Sequence, residues 1–259
     1  ILLGSDNGGT VTPTDGSVTP PKTTFFNTNP GNAADLGMLH IKSGDSGASV
    51  SSTSDELVIE GSSVGMSFLD ATDGATRIAF GDSGDNDIGK IIYAHSDNSM
   101  AFVTNTAEAL RISSIGAVTK PLQPAFRVQP SSDQDNLAVG NTTIAFGTED
   151  FDQNADFASN AFTAPVTGKY QFSFVIYTED LDDAAEYAYI TLSTSNQAIY
   201  HIIDPKAQQD EDATYFTFTM SVLTDMDAND TAALIYTQVG GAAQTDVTVN
   251  SHFSGFLAC

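Results

Sequence analysis

Apolar residues alternate strictly in two stretches of the chain: Tyr170, Phe172, Phe174 and Ile176 in one, Phe216, Phe218, Met220 and Val222 in the other. Thr217, Thr219 and Ser221 fill the gaps of the second stretch. A period of two puts each set on one face of a strand. The sequence therefore predicts a long antiparallel sheet, buried on one side and wet on the other. Further strands are expected at 187–192, 199–203, 232–239 and 253–257. Upstream the apolar runs are shorter: Leu57-Val58-Ile59, Met66-Ser67-Phe68-Leu69, Arg77-Ile78-Ala79-Phe80, Ile91-Ile92-Tyr93, Met100-Ala101-Phe102-Val103 and Leu110-Arg111-Ile112. Between them stand Gly61-Ser62-Ser63, Asp73-Gly74, the 81–87 run and Asp97-Asn98-Ser99, the punctuation of successive hairpins. No stretch sustains a 3.6-residue apolar period, so helix should be scarce.

The short runs carry one or two aromatics each, with Phe68, Phe80, Tyr93 and Phe102 spaced 9 to 13 residues apart. Strands this small hold too little apolar surface to close a large core within one chain. The economical arrangement is for several chains to pool their strands around a shared axis. Residues 1–36, rich in Gly, Thr, Pro, Asn and Asp, read as an extended low-complexity segment. Residues 37–118 read as a β-rich fibre shaft. Pro121 and Pro124 mark 119–125 as a linker, since each fixes φ and lacks a donor. The longer strands of 126–259 form a sandwich.

Charge narrows the function. The 259 residues hold 33 acids against 9 bases, a net charge of −24. So acidic a surface repels phosphate backbones and anionic headgroups, which sets aside nucleic acid and membrane surfaces as partners. The charge is uneven, with 14 acids and 6 bases up to residue 120 and 19 and 3 beyond it. No apolar run reaches the length of a membrane-spanning helix. A chain that starts at Ile1 reads as a fragment or a processed product. The single cysteine, Cys259, excludes an internal disulfide and a CxxC site; its plain reading is a frayed terminal thiol, the alternative a bridge between subunits.

Acidic clusters are the only chemically suggestive groups. Asp225, Asp227, Asn229 and Asp230 alternate oxygen ligands like the start of a calcium loop, but Asp230 stands where glycine is expected and Tyr236 where glutamate is. A solvated acidic turn and a calcium ion held by fewer ligands, or shared between subunits, both stay open; no other cofactor is required. The 81–87 and 149–152 runs and the 179–183 loop read first as soluble turns. His40, His95, His201 and His252 lie far apart in the sequence, in no nucleophile-centred motif, so no catalytic residues and no enzymatic activity are expected. The absence of Trp removes the favoured sugar-stacking ring. The sequons at Asn141 and Asn229 are what an Asn- and Thr-rich chain supplies by chance.

From Phe157 the sequence runs Phe-Ala-Ser-Asn-Ala-Phe162-Thr-Ala-Pro165-Val-Thr-Gly168-Lys-Tyr170-Gln-Phe172-Ser-Phe174 and it ends in Phe253-Ser254-Gly255-Phe256-Leu257. These runs resemble the signature of the C1q-like jelly-roll domains, relatives of tumour necrosis factor, over about 126–259. The gap from Phe157 to Phe162 is shorter than in the animal proteins. The 55–118 stretch, with Gly89-Lys90-Ile91-Ile92-Tyr93 and His95-Ser96-Asp97-Asn98-Ser99-Met100-Ala101-Phe102 among its runs, looks like the shaft repeats of bacteriophage tail fibres and spikes; Ala109-Leu110 departs from the usual Arg-Met.

The two resemblances imply an all-β protein, a trimeric β-fibre shaft followed by a C1q/TNF-like antiparallel jelly-roll sandwich. They imply a homotrimer in a phage virion, a tail or capsid fibre whose knob binds a polysaccharide or protein receptor on the host surface. Other virion proteins would join through the N-terminal segment. The rival expectation is an extracellular or cell-surface adhesin or matrix protein; a fibre-borne glycan hydrolase is a third class. Loop contacts with the receptor are expected at Asp133, Asp135, Asn136, Glu179, Asp180, Asp182, Asp183, Gln208, Asp210 and Asp212. Trimer packing is expected to use Phe126, Tyr187, Tyr189, Tyr215, Tyr236 and Phe256.

Overall fold

The structure, a computed structural model, describes residues 25–26 and 39–259, with side chains from His40 onward. Most of the segment expected to be extended, and with it the expected contact to other virion proteins, lies outside the described residues. The chain divides into two compact units, 1–70 and 71–259.

In the first unit β2 (Leu39–Lys42) lies between β1 (Phe25–Phe26), antiparallel to it, and β3 (Leu57–Glu60), parallel to it. The parallel register sets His40 beside Val58 and Lys42 beside Glu60. Glu60 and His40 are buried, and the pair is satisfied locally: Glu60 Oε2 lies 2.8 Å from His40 Nε2 and 3.3 Å from Lys42 Nζ, while Oε1 accepts from the Ser46 amide at 2.8 Å. The strand expected at 66–69 does not form. Its alternation supplies no partner strand, and Met66, Phe68 and Leu69 are exposed.

The second unit opens with a meander of β4 (Ala75–Phe80), β5 (Gly89–Ala94), β6 (Ser99–Thr104), β7 (Ala107–Ile112) and β8 (Val118–Thr119), hydrogen-bonded in that order. Asn105 and Thr106, both at positive φ, make the two-residue turn between β6 and β7, as a type I′ hairpin requires. The proline-containing stretch to β9 is pinned by side chains: Gln153 Nε2 donates to the Lys120 and Gln123 carbonyls at 2.8 Å each, and Gln123 Nε2 donates to Leu257 O at 2.5 Å.

The sandwich follows. Its strands are β9 (Ala125–Gln129), β10 (Gly140–Thr143), β11 (Thr148–Asp152), β12 (Phe157–Ala158), β13 (Ala161–Thr163), β14 (Gly168–Leu181), β15 (Tyr187–Thr194), β16 (Ala198–Ile203), β17 (Ala213–Met226), β18 (Thr231–Val239), β19 (Asp246–Val247) and β20 (His252–Leu257). One sheet runs β11-β9-β20-β14-β17, with β19 also on β14; the other runs β12-β13-β18-β15-β16, with β10 on β18. All sandwich pairings are antiparallel, the connectivity of a jelly roll. The 149–152 run read as an acidic turn belongs to β11, which bulges between Glu149 and Phe151. The one helix among the described residues is α1 (Pro205–Gln208), started by Pro205 and capped by the Asp204 carboxylate.

The core lies between the two sheets. Tyr170, Phe172, Phe174 and Ile176 of β14 are all buried in it, as the alternation predicts, and Phe218 of β17 joins them while Phe216, Met220 and Val222 pack against it. Gly168 opens β14 where a Cβ would stand 2.7 Å from both the Cys259 carbonyl oxygen and Leu257 Cδ1. The Cys259 thiol is free and exposed, yet its backbone is not frayed: the Lys169 amide donates to Cys259 O at 2.7 Å.

Candidate functional site

At one end of the sandwich three of the expected loops converge on a fourth segment, 240–249. The β14–β15 loop brings Asp182 and Asp183, and the stretch before β17 brings Asp212; one carboxylate oxygen from each lies within 4.8 Å of the others. Asp182 is buried, accepting from the Ala184 amide at 2.8 Å and from the Ala242 amide. Asp183 donates its amide to Asp212 Oδ1 at 3.0 Å. Burial, then the negative charges of Asp212 and Asp182, push the Asp183 carboxyl above its ordinary range. The Asp183 amide and the Gln244 side chain hold Asp212 below its own. From the β9–β10 loop, the Asn136 amide donates to Asp246 Oδ1 at 2.6 Å, and Asp133 Oδ1 accepts from the Val249 amide at 2.7 Å. Asp180, at positive φ, offers its carbonyl to Gln244. Glu179 sits opposite Asp246 across β14 and β19. Asp135, Gln208 and Asp210 are exposed.

The organising segment carries residues the sequence reading missed. Gly240 and Gly241 both take positive φ, and a Cβ on Gly241 would stand 2.1 Å from Asp182 Oδ2, so only glycine lets the turn reach that carboxylate. Fully buried Gln238 supports the turn from beneath, donating to the Gly240 and Ala242 carbonyls at 3.0 and 2.8 Å and accepting from Tyr236 Oη at 2.8 Å and Thr245 Oγ1 at 3.2 Å. The Gly-Gly pair is the signal in the sequence that pointed here.

Two residues expected in the trimer interface are corrected. Tyr236 is completely buried in the protomer's own core, where loss of solvent pushes its hydroxyl up to about 12. Phe126 is buried among Phe157, Phe162, Phe172 and Phe253. Both sit on inward positions of their strands, so neither reaches a neighbouring chain. Tyr187, Tyr215 and Phe256 are exposed, and Tyr189 is half-buried, stacked on Tyr187 with ring centres 6.0 Å apart.

The 225–230 turn is engaged with itself and its neighbours. Asp225 Oδ1 pairs with Lys169 Nζ at 2.5 Å, Asp230 Oδ2 accepts from the Asp227 amide at 2.8 Å and from Asn196 Nδ2 at 2.9 Å, and Asn229 takes positive φ to donate its amide to Ala164 O. These groups fix the turn between β17 and β18. Among the described residues Asp182, Asp183 and Asp212 bring their carboxylate oxygens within 4.8 Å of one another, and carboxylate oxygen is the donor type a calcium ion takes. Three of the four histidines are engaged separately: His40 by Glu60, His95 by Tyr93, with ring centres 5.0 Å apart, and His201 by the Thr219 amide at 3.1 Å.

The model of the C1q domain matches residues 125–258. The chain belongs to the C1q domain family. Its C1q domain spans all twelve strands of the sandwich, and domains of this family are typically trimeric binding or ligand domains. Among solved structures, the globular domain of the zebrafish complement 1qA protein is similar at 15% identity and TM-score 0.41, covering 53% of this chain and 98% of its own. Murine APRIL at pH 8.5 is similar at 8% and 0.38, covering 52% and 98%, and the Eiger TNF from S. frugiperda at 11% and 0.41, covering 53% and 92%. No curated protein matches the sequence. Among the described residues no helix is long and apolar enough to cross a membrane.

Proposed function

We propose that this chain is the protomer of a homotrimeric β-fibre whose C1q head binds a polysaccharide or protein on a cell surface, and that the fibre belongs to a phage virion. One observation carries the reading: a C1q sandwich follows directly on a hairpin sheet whose sequence looks like fibre-shaft repeats. The head would use its acidic loop end, where Asp180, Asp183 and Asp212 stand around the Gly240-Gly241 turn. Three copies on one fibre turn modest single-site affinity into useful avidity. Binding is non-covalent and without turnover. The typical extracellular setting of C1q domains favours a second reading, a bacterial adhesin or matrix protein with the same head.

Light scattering coupled to size exclusion on the full chain tests the assembly. The expected mass is three chains, and a monomer overturns the proposal. A mass that falls in chelator shows that a cation supports the assembly, and the same measurement on Asp212→Asn tests whether the acidic end holds it. Retention of labelled protein on host cells, lost after periodate or after protease treatment, separates a polysaccharide from a protein receptor. New reducing ends released from host polysaccharide would show an enzyme instead.

A further inference from the structure

The meander β4–β8 has two unlike faces. In an antiparallel sheet directly paired residues share a face, and the register puts Ile78 and Phe80 of β4, Ile91 and Tyr93 of β5, Met100 and Phe102 of β6, Leu110 and Ile112 of β7, and Val118 of β8 on one of them. That face bears no charge, and none of its side chains is buried; Phe102, at its centre, is 39% exposed. On the other face the small residues Ser99, Ala101 and Val103 are buried beneath longer neighbours. Ala101 lies between Ile92 and Arg111, and Arg111 spans to Glu108 at 2.6 Å and to Ser99 Oγ at 2.6 Å. One face of the sheet is thus sealed by its own side chains and the other is not. A sheet becomes stable by packing a second layer on its apolar face.

We infer that this open face packs against the same face of other copies of the chain. The inference rests on the homotrimer proposed above and locates a part of it outside the head. Charge favours copies of the chain meeting here: molecules that each carry −24 approach most easily across a surface with no charge. Continuity favours it too. Five residues join β8 to β9, and Gln123 and Gln153 fasten them to the head, so heads that associate deliver the sheets together at high effective concentration. The area agrees. Four six-residue strands cover about 400 Å² of sheet, roughly half of what each partner gives to a stable pair. That is too little to hold copies together unaided, but enough to extend an interface the heads begin.

Cysteine cross-linking in the full chain tests this. In a Cys259→Ser background, Phe102→Cys should join two copies covalently under a mild oxidant, and Arg77→Cys, on the sealed face, should not. Met100→Cys repeats the test on the same face should Phe102→Cys misfold. Light scattering before oxidation separates the two ideas. A monomer overturns the homotrimer and this inference with it. A trimer that leaves residues 102 and 100 unlinked, or links residue 77 equally, keeps the homotrimer and overturns the shared face.

Discussion

Phe126 meets four other rings, the closest being Phe162 with centres 4.9 Å apart and the farthest Phe172 at 6.3 Å. Truncating a phenylalanine packed on all sides removes its transfer free energy and leaves a cavity, so Phe126→Ala should destabilise the head by about 3–5 kcal/mol. Tyr215→Ala, at a position 76% exposed, should cost less than about 0.5 kcal/mol in the isolated protomer. Urea melts of the two variants check the contrast, and equal losses would refute the inward orientation of Phe126. Gly255 is limited by the same packing. A Cβ there would stand 2.5 Å from Phe172 Cδ1 and 2.8 Å from Phe126 Cε1. In the first unit Glu60 is held at about 2, against an ordinary 4.5, by the Ser46 amide and then Lys42. A lowered carboxyl contributes stability that is complete above about 4.5 and is lost as pH falls through about 2. Acid titration of the first unit's unfolding should show this limb, and Glu60→Gln should flatten it.

The β6–β7 hairpin stores strain that one substitution can release. Thr106 sits at φ 63°, where a β-branched residue is unfavourable by roughly 1–2 kcal/mol, while its partner Asn105 tolerates the left-handed region well. Thr106→Gly should therefore stabilise the hairpin by about 1 kcal/mol, read from slower amide exchange across β6 and β7. Such turns show how far the sequence reaches. The turn signals at 81–87 and 97–99 and the alternation from Tyr170 to Ile176 are local, so strands β4–β7, β14 and β17 could be read directly, whereas the Asn105-Thr106 turn carries no glycine and was not read. The polar strand Gly140–Thr143 could not, because its pairing with β18 is fixed by residues about 95 positions away. Phe126 and Tyr236 were legible as apolar, but the side of the sheet they face depends on register with distant strands. The acidic end was legible as charged loops and not as a cluster, since Asp183 and Asp212 stand 29 positions apart in the chain and meet only once it has folded. Asp183 is the loop residue for which that meeting has a sign. Its raised carboxyl opposes folding above its own pKa, so Asp183→Asn should raise the melting temperature at pH 8 and leave it nearly unchanged at acid pH.

Assembly of the whole molecule has to work against its charge. The three copies of the proposed homotrimer, at −24 each, would carry a net charge of −72, and the exposed acids of the β17–β18 turns and the 81–87 runs keep much of it at the surface. The apolar contacts proposed between copies, on the head and on the open face of the β4–β8 sheet, would not depend on salt to first order, whereas repulsion between surfaces does. The Debye length falls from about 30 Å at 0.01 M to about 3 Å at 1 M ionic strength. At the low end the charges of all three chains act on one another across the particle; at the high end each acts only on its immediate neighbours. Sedimentation of the full chain across this range should therefore show the oligomer persisting to lower protein concentration as monovalent salt rises. An assembly held by ion pairs between chains would weaken over the same range. With nine cations in the chain, Lys42, Lys90, Arg111, Arg127 and Lys169 already paired within it, few are left to bridge a neighbour, so strengthening is the expected direction. A flat response would mean that the charged faces point away from one another in the oligomer and that the copies meet through apolar surface alone.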